Sequence, residues 1–281
     1  MSLVDLKSVS EQAQKQGVGL GAFNVVLLDH AEQFVRAAER AELPVVLQLS
    51  ENAVKYHGAF EPIADAILAC ARGAAVPVVA HLDHAEDVDL CRKAVAAGFT
   101  SVMYDGSKLP DQLNRDTTAK VVDFCHAAGL SVEAELGEVG GKNGVHDPSA
   151  RTDPDDAAKF VADTGVDLLA VAVGSSHAMT TRGAELDNAL IAAIASKVSV
   201  PLVLHGSSGV PDAGIISAIE SGMTKINVST HLNVLFTKAV REYLTADSEV
   251  VDPRKYFQAG NAAVFDEVYR LLKMYSLTNE G

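Results

Sequence analysis

The chain has 281 residues, a formal net charge of −14, and 48% hydrophobic against 21% charged residues. This length allows one large domain or two ordinary ones, and the composition is that of a globular protein rather than a disordered one. So negative a chain repels phosphate backbones and anionic lipid headgroups, which excludes nucleic acid and membrane surfaces as main partners. If the protein handles an anionic substrate, the positive charge around that substrate must be local.

The N-terminal sequence and the cysteines indicate a cytoplasmic protein. No apolar run reaches the ~18 residues of a membrane-spanning helix, and Met1–Asp5 lacks the basic start and apolar core of a signal peptide. Cys70, Cys91 and Cys125 are odd in number and far apart, which is typical of reduced thiols in a core. We therefore expect cytoplasmic localisation and no disulfide framework.

Short apolar, β-branched runs alternate with longer segments of helical period along the whole chain. The predicted strands are Val18–Val25, Val45–Leu49, Val78–Leu82, Thr100–Tyr104, Ser131–Leu136, Leu168–Val173, Leu202–Leu204 and Lys225–Val228. The predicted helices between them are Asp29–Ala41, Glu61–Arg72, Asp87–Ala97, Leu113–Ala128, Asp155–Thr164, Leu186–Lys197 and Asp212–Ser221. Several of these helices end at a glycine, the usual left-handed stop.

This alternation predicts an α/β fold. Continuously apolar strands suit a parallel sheet that is covered on both faces. Eight of them alternating with helices in fewer than about 250 residues predict a (β/α)8 TIM barrel, with a doubly wound open sheet as the main alternative. No linker divides the chain, so residues 1–281 are expected to form a single domain. The tail, about residues 248–281, carries one further helical pattern, Ala262–Tyr275, expected to cover the barrel or to contact a neighbouring subunit.

Polar side chains follow nearly every predicted strand. They are Asn24, Ser50, Asp83, His84, Asp105, Glu133, Glu135, Ser176, His177, His205 and Asn227, with Gly206 directly after His205. Because barrel enzymes carry their chemistry at the carboxyl ends of the strands, these residues are expected on one face. Any single one is more often a helix cap, and a lone histidine at a strand end is more often a hydrogen-bonded core residue.

Three histidines are harder to explain in that way, because His84, His177 and His205 follow the third, sixth and seventh strands. Three neutral imidazoles leave a fourth position open on a tetrahedral Zn²⁺, which is the arrangement of catalytic zinc sites. Their spacing alone is weak evidence, since only the predicted barrel brings them together. The other histidines are interpreted as structural, except His81, which lies two residues before Asp83 on the third strand.

Two segments that are rich in glycine, serine and threonine follow the last two strands. Residues 205–209 follow the seventh strand, and residues 227–230 lead from the eighth strand into a helix. In this fold the corresponding loops form the usual phosphate site, where backbone N–H groups and a helix N-terminus meet an anion. As isolated motifs they are weak evidence for a phosphate site, because helix caps look the same.

A long polar loop, Gly137–Pro154, follows the fifth strand, and loops of that length are usually functional or mobile.

These residues lie in motifs that resemble the class II, zinc-dependent ketose-bisphosphate aldolases, nearest the tagatose- and fructose-bisphosphate branch. The motifs are His81–His84, Ser101–Ser107, Glu133–Gly137 with Gly140 and Gly141, Gly174–His177, Leu204–Gly206 and Lys225–Val228. They are long and stand in the right order, and the resemblance extends from about Gly21 to Asp252–Tyr256.

The resemblance implies a reversible aldol cleavage of a phosphorylated ketose, such as fructose or tagatose 1,6-bisphosphate, to dihydroxyacetone phosphate and an aldehyde. It implies that His84, His177 and His205 hold one catalytic Zn²⁺, which would polarise the ketone and stabilise the enediolate. Glu135 corresponds to an alternative metal ligand and Asp105 to a carboxylate near the metal, with room for a second or monovalent cation. Asp83 would exchange a proton with the aldehyde or C4 hydroxyl oxygen.

The resemblance also implies a substrate site and an assembly. The residues that correspond to substrate contacts are Asn24, Ser50, Ala178, Gly206, Ser207, Ser208, Asn227, Val228, Ser229 and Thr230. Most of them would hold the phosphate of the dihydroxyacetone half through the backbone. Members of the family are generally homodimers or homotetramers, so we expect a homo-oligomer.

The chain departs from the family pattern in its long loop and at the phosphate rim. The family usually carries a glutamate after the paired glycines as the base for the C3 proton, whereas this chain has Asn143, so Glu138, Asp147 or a water would have to replace it. At the rim, the residues that differ from the usual glycine, tyrosine, lysine and aspartate are Ala178, Thr180, Arg182 and Ser229.

Three functional hypotheses follow. The first is a zinc-dependent aldolase for a phosphorylated ketose, either the standard bisphosphate or a non-standard one. The second is a metal-dependent isomerase or epimerase on the same scaffold, which the loss of the loop glutamate keeps open. The third is a non-catalytic descendant, and the presence of Asp83 with all three histidines argues against it.

Overall fold

The computed structural model describes residues 2–136, 151–177 and 179–277. The strands of these residues, numbered β1 to β8 in chain order, are Leu20–Asn24, Val45–Ser50, Val78–Ala85, Ser101–Tyr104, Ser131–Leu136, Leu168–Val171, Leu202–Leu204 and Met223–Val228. All are parallel, each pairs with its neighbours in sequence, and β1 pairs with β8 to close a barrel. The predicted TIM barrel is therefore confirmed.

Helices surround this barrel. Those of the described residues, numbered α1 to α11, are Leu6–Gln16, Leu28–Ala41, Glu51–His57, Glu61–Gly73, Val88–Ala97, Asp111–Ala127, Pro154–Thr164, Asn188–Lys197, Asp212–Glu220, Thr230–Ala246 and Pro253–Tyr275. Their apolar faces cover the outer faces of the strands in one continuous core, to which Phe34, Ile67 and Phe160 contribute fully or almost fully buried side chains. No helix among these described segments combines the length and the apolarity needed to cross a bilayer.

The interior of the barrel changes character along the strands. At the amino-terminal end the inward side chains form an apolar cluster with α1, made of Leu6, Ala13, Leu20, Ala22, Val46, Val79, Leu168, Ala170 and Val203. Because inward residues repeat every second position on a strand, the next layers on β3, β5 and β8 are His81, Glu133 and Lys225, all fully buried. The apolar layer thus supports a polar layer directly beneath the carboxyl ends.

The structure also corrects the predicted element boundaries. β3 continues to Ala85 and so includes Asp83 and His84, whereas the prediction ended it at Leu82. Neither α1 nor α3 was predicted, and α1 buries only three of its eleven residues, Leu6, Ser10 and Ala13, so its apolar face is small.

The helical tail is longer than its apolar pattern indicated. α11 begins at Pro253 rather than at Ala262, because the Asp252 side chain accepts from the backbone N–H of Arg254 and proline suits the first turn. α11 packs on α2, where the Arg40 guanidinium stacks on the ring of Tyr269 at 4.4 Å. The extra C-terminal helix therefore covers one side of the barrel.

Candidate active site

β3 ends in a bulge that carries Asp83 and His84. The register between β3 and β4 shifts between Leu82 and Ala85, and His84 has a φ of 48°, a left-handed conformation that residues other than glycine adopt rarely. A bulge redirects the side chains around it, and such backbone strain persists only where other contacts hold it. Here Nδ1 of His84 lies 2.9 Å from Oδ2 of Asp105, so the residue that follows β4 fixes the ring that β3 presents.

His177 and His205 come together because the segments after β6 and β7 pack closely. Gly206 has a φ of 67°, and a Cβ at this position would lie 2.6 Å from the backbone carbon of Ser176, so only glycine fits. The ring centroids of His177 and His205 are 5.7 Å apart. The ring of His84 lies 5.2 Å from His177 and 4.5 Å from His205, so the three predicted histidines form one cluster.

Glu135 completes this cluster. One potential ligand atom from each of His84, Glu135, His177 and His205 lies within 4.8 Å of the other three. Nδ1 of His205 is buried without an aligned hydrogen bond among the described residues, and it is 3.1 Å from Oε2 of Glu135. Imidazole nitrogens and a carboxylate are the ligands of catalytic zinc sites. The donor set therefore fits a divalent cation.

The electrostatics of the cluster also favour a cation. Burial opposes protonation of His84, but Asp83 and the hydrogen bond to Asp105 outweigh it and raise the pKa of His84 to about 10. Burial, together with the neighbouring His84 and His205, lowers the pKa of His177 to about 3. The surrounding carboxylates thus stabilise positive charge at this point, which a divalent ion would supply in place of a proton.

Asp83 lies beside this cluster and is 2% exposed. Its Oδ2 accepts a hydrogen bond from Nδ2 of Asn24 at 2.8 Å, and its Oδ1 lies 3.5 Å from Nδ2 of Asn227. Burial raises the pKa of Asp83, but His84 and Lys225 outweigh burial and hold that pKa below its usual range. Asp83 is therefore an ionised carboxylate, which is the form that can accept a proton.

Asp105 lies next to the group of four ligands, on the far side of one imidazole. Burial acts against its ionisation, but the hydrogen bond with His84 and those from Ser107 hold the pKa of Asp105 well below its usual range. An ionised carboxylate on Nδ1 orients the ring so that Nε2 is left for a metal, a common arrangement for metal-binding histidines. Direct contact between Asp105 and a metal stays a prediction.

The two predicted phosphate segments lie side by side. Oγ of Ser207 donates to the backbone oxygen of Asn227, and Oγ of Ser208 accepts from the backbone N–H of His231 at 3.1 Å. α10 starts at Thr230, and the side chain of Ser229 forms no capping bond with it. Because the first N–H groups of a helix lack partners within it, this corner offers amide donors to an anion.

Other residues of the predicted substrate site and of its phosphate rim have different surroundings. The hydroxyl of Ser50 accepts from the backbone N–H of Ala53 at 3.2 Å, so it caps α3. Arg182 donates from Nε and Nη2 to the backbone oxygen of Val210 at 3.0 and 2.7 Å. Val228 is buried in β8. Ala178 and the loop residues Glu138, Asn143 and Asp147 lie outside the described residues.

The polar layer beneath the cluster was not predicted to have a role. Glu133 was noted at a strand end, and Lys225 only as part of a motif. Each lies two residues before a predicted site residue on the same strand, Glu135 and Asn227 respectively. The strand period of two was the signal that could have placed both on the inner face of the barrel.

Comparison with known proteins decides the family. Residues 4–280 match the model of the family described as class-II fructose-bisphosphate aldolase. The chain belongs to this family. A fructose-bisphosphate aldolase of Geobacillus stearothermophilus is 40% identical over 268 residues, which are 94% of this chain and 93% of that protein. A probable fructose-bisphosphate aldolase of Bacillus subtilis strain 168 is 38% identical over the whole of both chains.

Solved structures agree with this assignment. The YdjI aldolase from Escherichia coli K12 superposes with a TM-score of 0.86 and 33% identity, covering 97% of both chains. The chain is thus a class II aldolase, a carbon–carbon lyase on a TIM barrel, as its motifs predicted.

Proposed function

We propose that this aldolase reversibly cleaves a ketose 1,6-bisphosphate, of the fructose or tagatose type, to dihydroxyacetone phosphate and an aldehyde. The observation that carries the proposal is the group of His84, Glu135, His177 and His205 beside Asp83 at the carboxyl end of the barrel. The names of the relatives, fructose-bisphosphate aldolases at 38 to 40% identity, support the substrate class.

A Zn²⁺ held by His84, His177 and His205, with Glu135 as a further ligand, would supply Lewis acidity at the ketose carbonyl. In the cleavage direction a base removes the proton of the C4 hydroxyl, the C3–C4 bond breaks, and its electron pair passes into the C2 carbonyl. Asp83 is suited to be this base, because it is ionised, buried and held by Asn24.

A proton must then be delivered to C3. Glu138, Asp147 or a water is proposed for this step, because the amide of Asn143 cannot carry a proton in this way. We propose that Asn143→Glu raises turnover on a bisphosphate; unchanged turnover would show that another group already serves.

The phosphate of the dihydroxyacetone half is proposed to bind where the segments after β7 and β8 meet. Amide donors at Gly206–Ser208 and at the start of α10 suit a dianion. They supply a local positive field without basic side chains, which reconciles an anionic substrate with a net charge of −14.

The test is a coupled assay for dihydroxyacetone phosphate with fructose and tagatose 1,6-bisphosphate, before and after EDTA and after Zn²⁺ is restored. We expect cleavage that is lost with the chelator, regained with the metal, and accompanied by about one zinc per chain. If neither bisphosphate is cleaved by folded, zinc-loaded protein, the substrate assignment is wrong. Exchange of the C3 proton of dihydroxyacetone phosphate without any cleavage would support the isomerase hypothesis, which no relative reported above favours.

We further propose a homodimer or homotetramer of cytoplasmic chains, each a single domain over residues 1–281. The family implies the assembly, the odd and distant cysteines support a reducing compartment, and the closed barrel with its covering tail supports one domain. Light scattering of the purified full chain measures the oligomeric state directly.

A further inference from the structure

Lys225 lies on β8 inside the barrel and is fully buried. A lysine is almost never buried to this extent unless its charge is paired. Its Nζ lies 2.8 Å from Oε2 of Glu133 and donates to Oδ1 of Asn227 at 2.8 Å. Neither of these neighbours belongs to the candidate metal ligands, but each contacts a residue of the proposed chemistry.

Glu133, the first neighbour of Lys225, contacts one of the candidate metal ligands. Oε1 of Glu133 lies 3.0 Å from Nε2 of His205. The Lys225 ammonium group lies against the other oxygen of this carboxylate, so Glu133 presents Oε1 to the imidazole as a hydrogen-bond acceptor. Nε2 of His205 must therefore be the donor, and Nδ1 is the nitrogen that faces the cluster and can bind a metal.

Asn227, the second neighbour of Lys225, faces the proposed proton acceptor, Asp83. With Oδ1 of Asn227 turned to Lys225, its Nδ2 faces Oδ1 of Asp83 at 3.5 Å. The opposite oxygen of Asp83 is held by Asn24, whose own Oδ1 accepts from Nε2 of Gln48 at 3.1 Å. Asp83 is thus held between two amides, and the orientation of one of them depends on the lysine.

An ammonium group dictates both orientations because it donates and never accepts. An amide beside it must present its oxygen, and a carboxylate beside it is stabilised in the ionised form. A neutral polar side chain in the same place would permit either orientation of Asn227. Lys225 has no solvent-exposed surface and contacts Glu133 and Asn227, so it is not poised as a nucleophile toward a sugar.

We propose that Lys225 is a positioning residue of the aldol reaction, which sets the metal-binding nitrogen of His205 through Glu133 and orients Asp83 through Asn227. This inference rests on the proposed function, since it takes the histidine cluster as the zinc site.

The experiment compares Lys225→Met, Lys225→Gln, Glu133→Gln and the double variant Lys225→Met/Glu133→Gln with the parent enzyme. Lys7→Met is the matched control, because Lys7 pairs with the buried Asp167 at the other end of the barrel. Zinc affinity is measured by competition with a chromophoric chelator, kcat and KM with fructose 1,6-bisphosphate at saturating Zn²⁺, and unfolding in urea on metal-free protein.

Lys225→Met should weaken zinc binding about 10- to 100-fold, the usual effect of losing a group that orients a ligand. At saturating zinc it should lower kcat about tenfold or more, with KM changed less than about threefold. Lys225→Gln should lower zinc affinity and kcat by nearly as much, because a neutral amide at this position does not dictate the orientation of Asn227. Lys7→Met should leave zinc affinity and kcat at parental values.

The double variant separates the two routes and avoids a buried unpaired charge, so it can be measured even if Lys225→Met fails to fold. Relative to Glu133→Gln alone, it should change zinc affinity less than about threefold while lowering kcat about tenfold further. A further tenfold loss of zinc affinity, or an unchanged kcat, would overturn the proposal. So would Lys225→Met with parental zinc affinity and lowered stability only. A parent that binds no zinc would overturn the proposed function, and this inference with it.

Discussion

Two buried carboxylates, at opposite ends of the barrel, are each paired with a lysine and a histidine but have different roles. Glu133 on β5 is paired with Lys225 and His205. Asp167, which precedes β6 at the amino-terminal end, is paired with Lys7 at 2.9 Å and with His126 at 2.7 Å. In each case burial opposes ionisation, and the partners nevertheless hold the pKa of the carboxylate below its usual range.

The two carboxylates differ in the location and exposure of their partners. Lys7 and His126 are 51% and 42% exposed and belong to α1 and α6, so the pairs at Asp167 fasten two surface helices to the base of the barrel. The partners of Glu133 are completely buried, and one of them is a candidate metal ligand. The same chemistry therefore stabilises the fold at one end and orients reacting groups at the other, in keeping with the usual division of a TIM barrel.

The largest expected effect separates the two ends by activity. Asp83→Asn should lower kcat about 10²- to 10⁴-fold, because an amide cannot take the C4 hydroxyl proton, while zinc content stays at the parental level. Steady-state kinetics and metal analysis measure both. Asp167→Asn is the matched control at the other end and should keep its kcat. Retention of more than about a tenth of the parental kcat by Asp83→Asn would show that another group removes the proton.

The free energy of unfolding, unlike kcat, should depend on the carboxylate at the amino-terminal end of the barrel. Asp167→Asn should lower the free energy of unfolding by about 1 to 3 kcal/mol, because the amide loses its charge and misaligns the acceptor for the backbone N–H of Val132, which is 2.8 Å from Oδ2. Urea unfolding of the metal-free protein measures this loss. Equal stability of variant and parent would show that Asp167 does not fasten α1 and α6.

The pH dependence of that loss sharpens the comparison. Hydrogen bonds from His126, Val132 and Lys7 outweigh burial and lower the pKa of Asp167 in the folded state. Its stabilisation is therefore complete above the unfolded pKa of about 3.9 and is lost as the pH falls toward the folded value. The stability difference between parent and Asp167→Asn, followed in urea with EDTA, should be constant near neutrality and shrink below about pH 4. A difference that grows on acidification would contradict this assignment.

The smallest effect is expected at the exposed partner. Lys7→Ala should cost less than about 1 kcal/mol, because a half-exposed ammonium gains little from an ion pair in water. Its kcat and zinc affinity should equal those of the parent. A loss as large as that of Asp167→Asn would mean that α1 depends on this single contact.

Much of the fold could be predicted because its signals are local. Each strand is a short apolar run, each helix between strands has its own period, and polar residues such as Asp83 and His205 stand where strands end. The short helix α3 was missed because it has only one buried residue, Ala53, and so no apolar face to recognise. The role of Glu133 and Lys225 was missed because the two side chains meet across the barrel, from β5 and β8, and no pattern along the chain places them together.

The amino-acid sequence by itself determined the alternation of strands and helices, the residues at the mouth of the barrel and the family motifs, since these depend on neighbours along the chain. Only the tertiary structure decided that His84 sits in a left-handed bulge, that Asp105 contacts its ring, and that Lys225 lies between Glu133 and Asn227. Contacts of this kind join inward side chains of different strands. The tilt and stagger of the closed barrel set which of them meet, and no local pattern encodes that geometry.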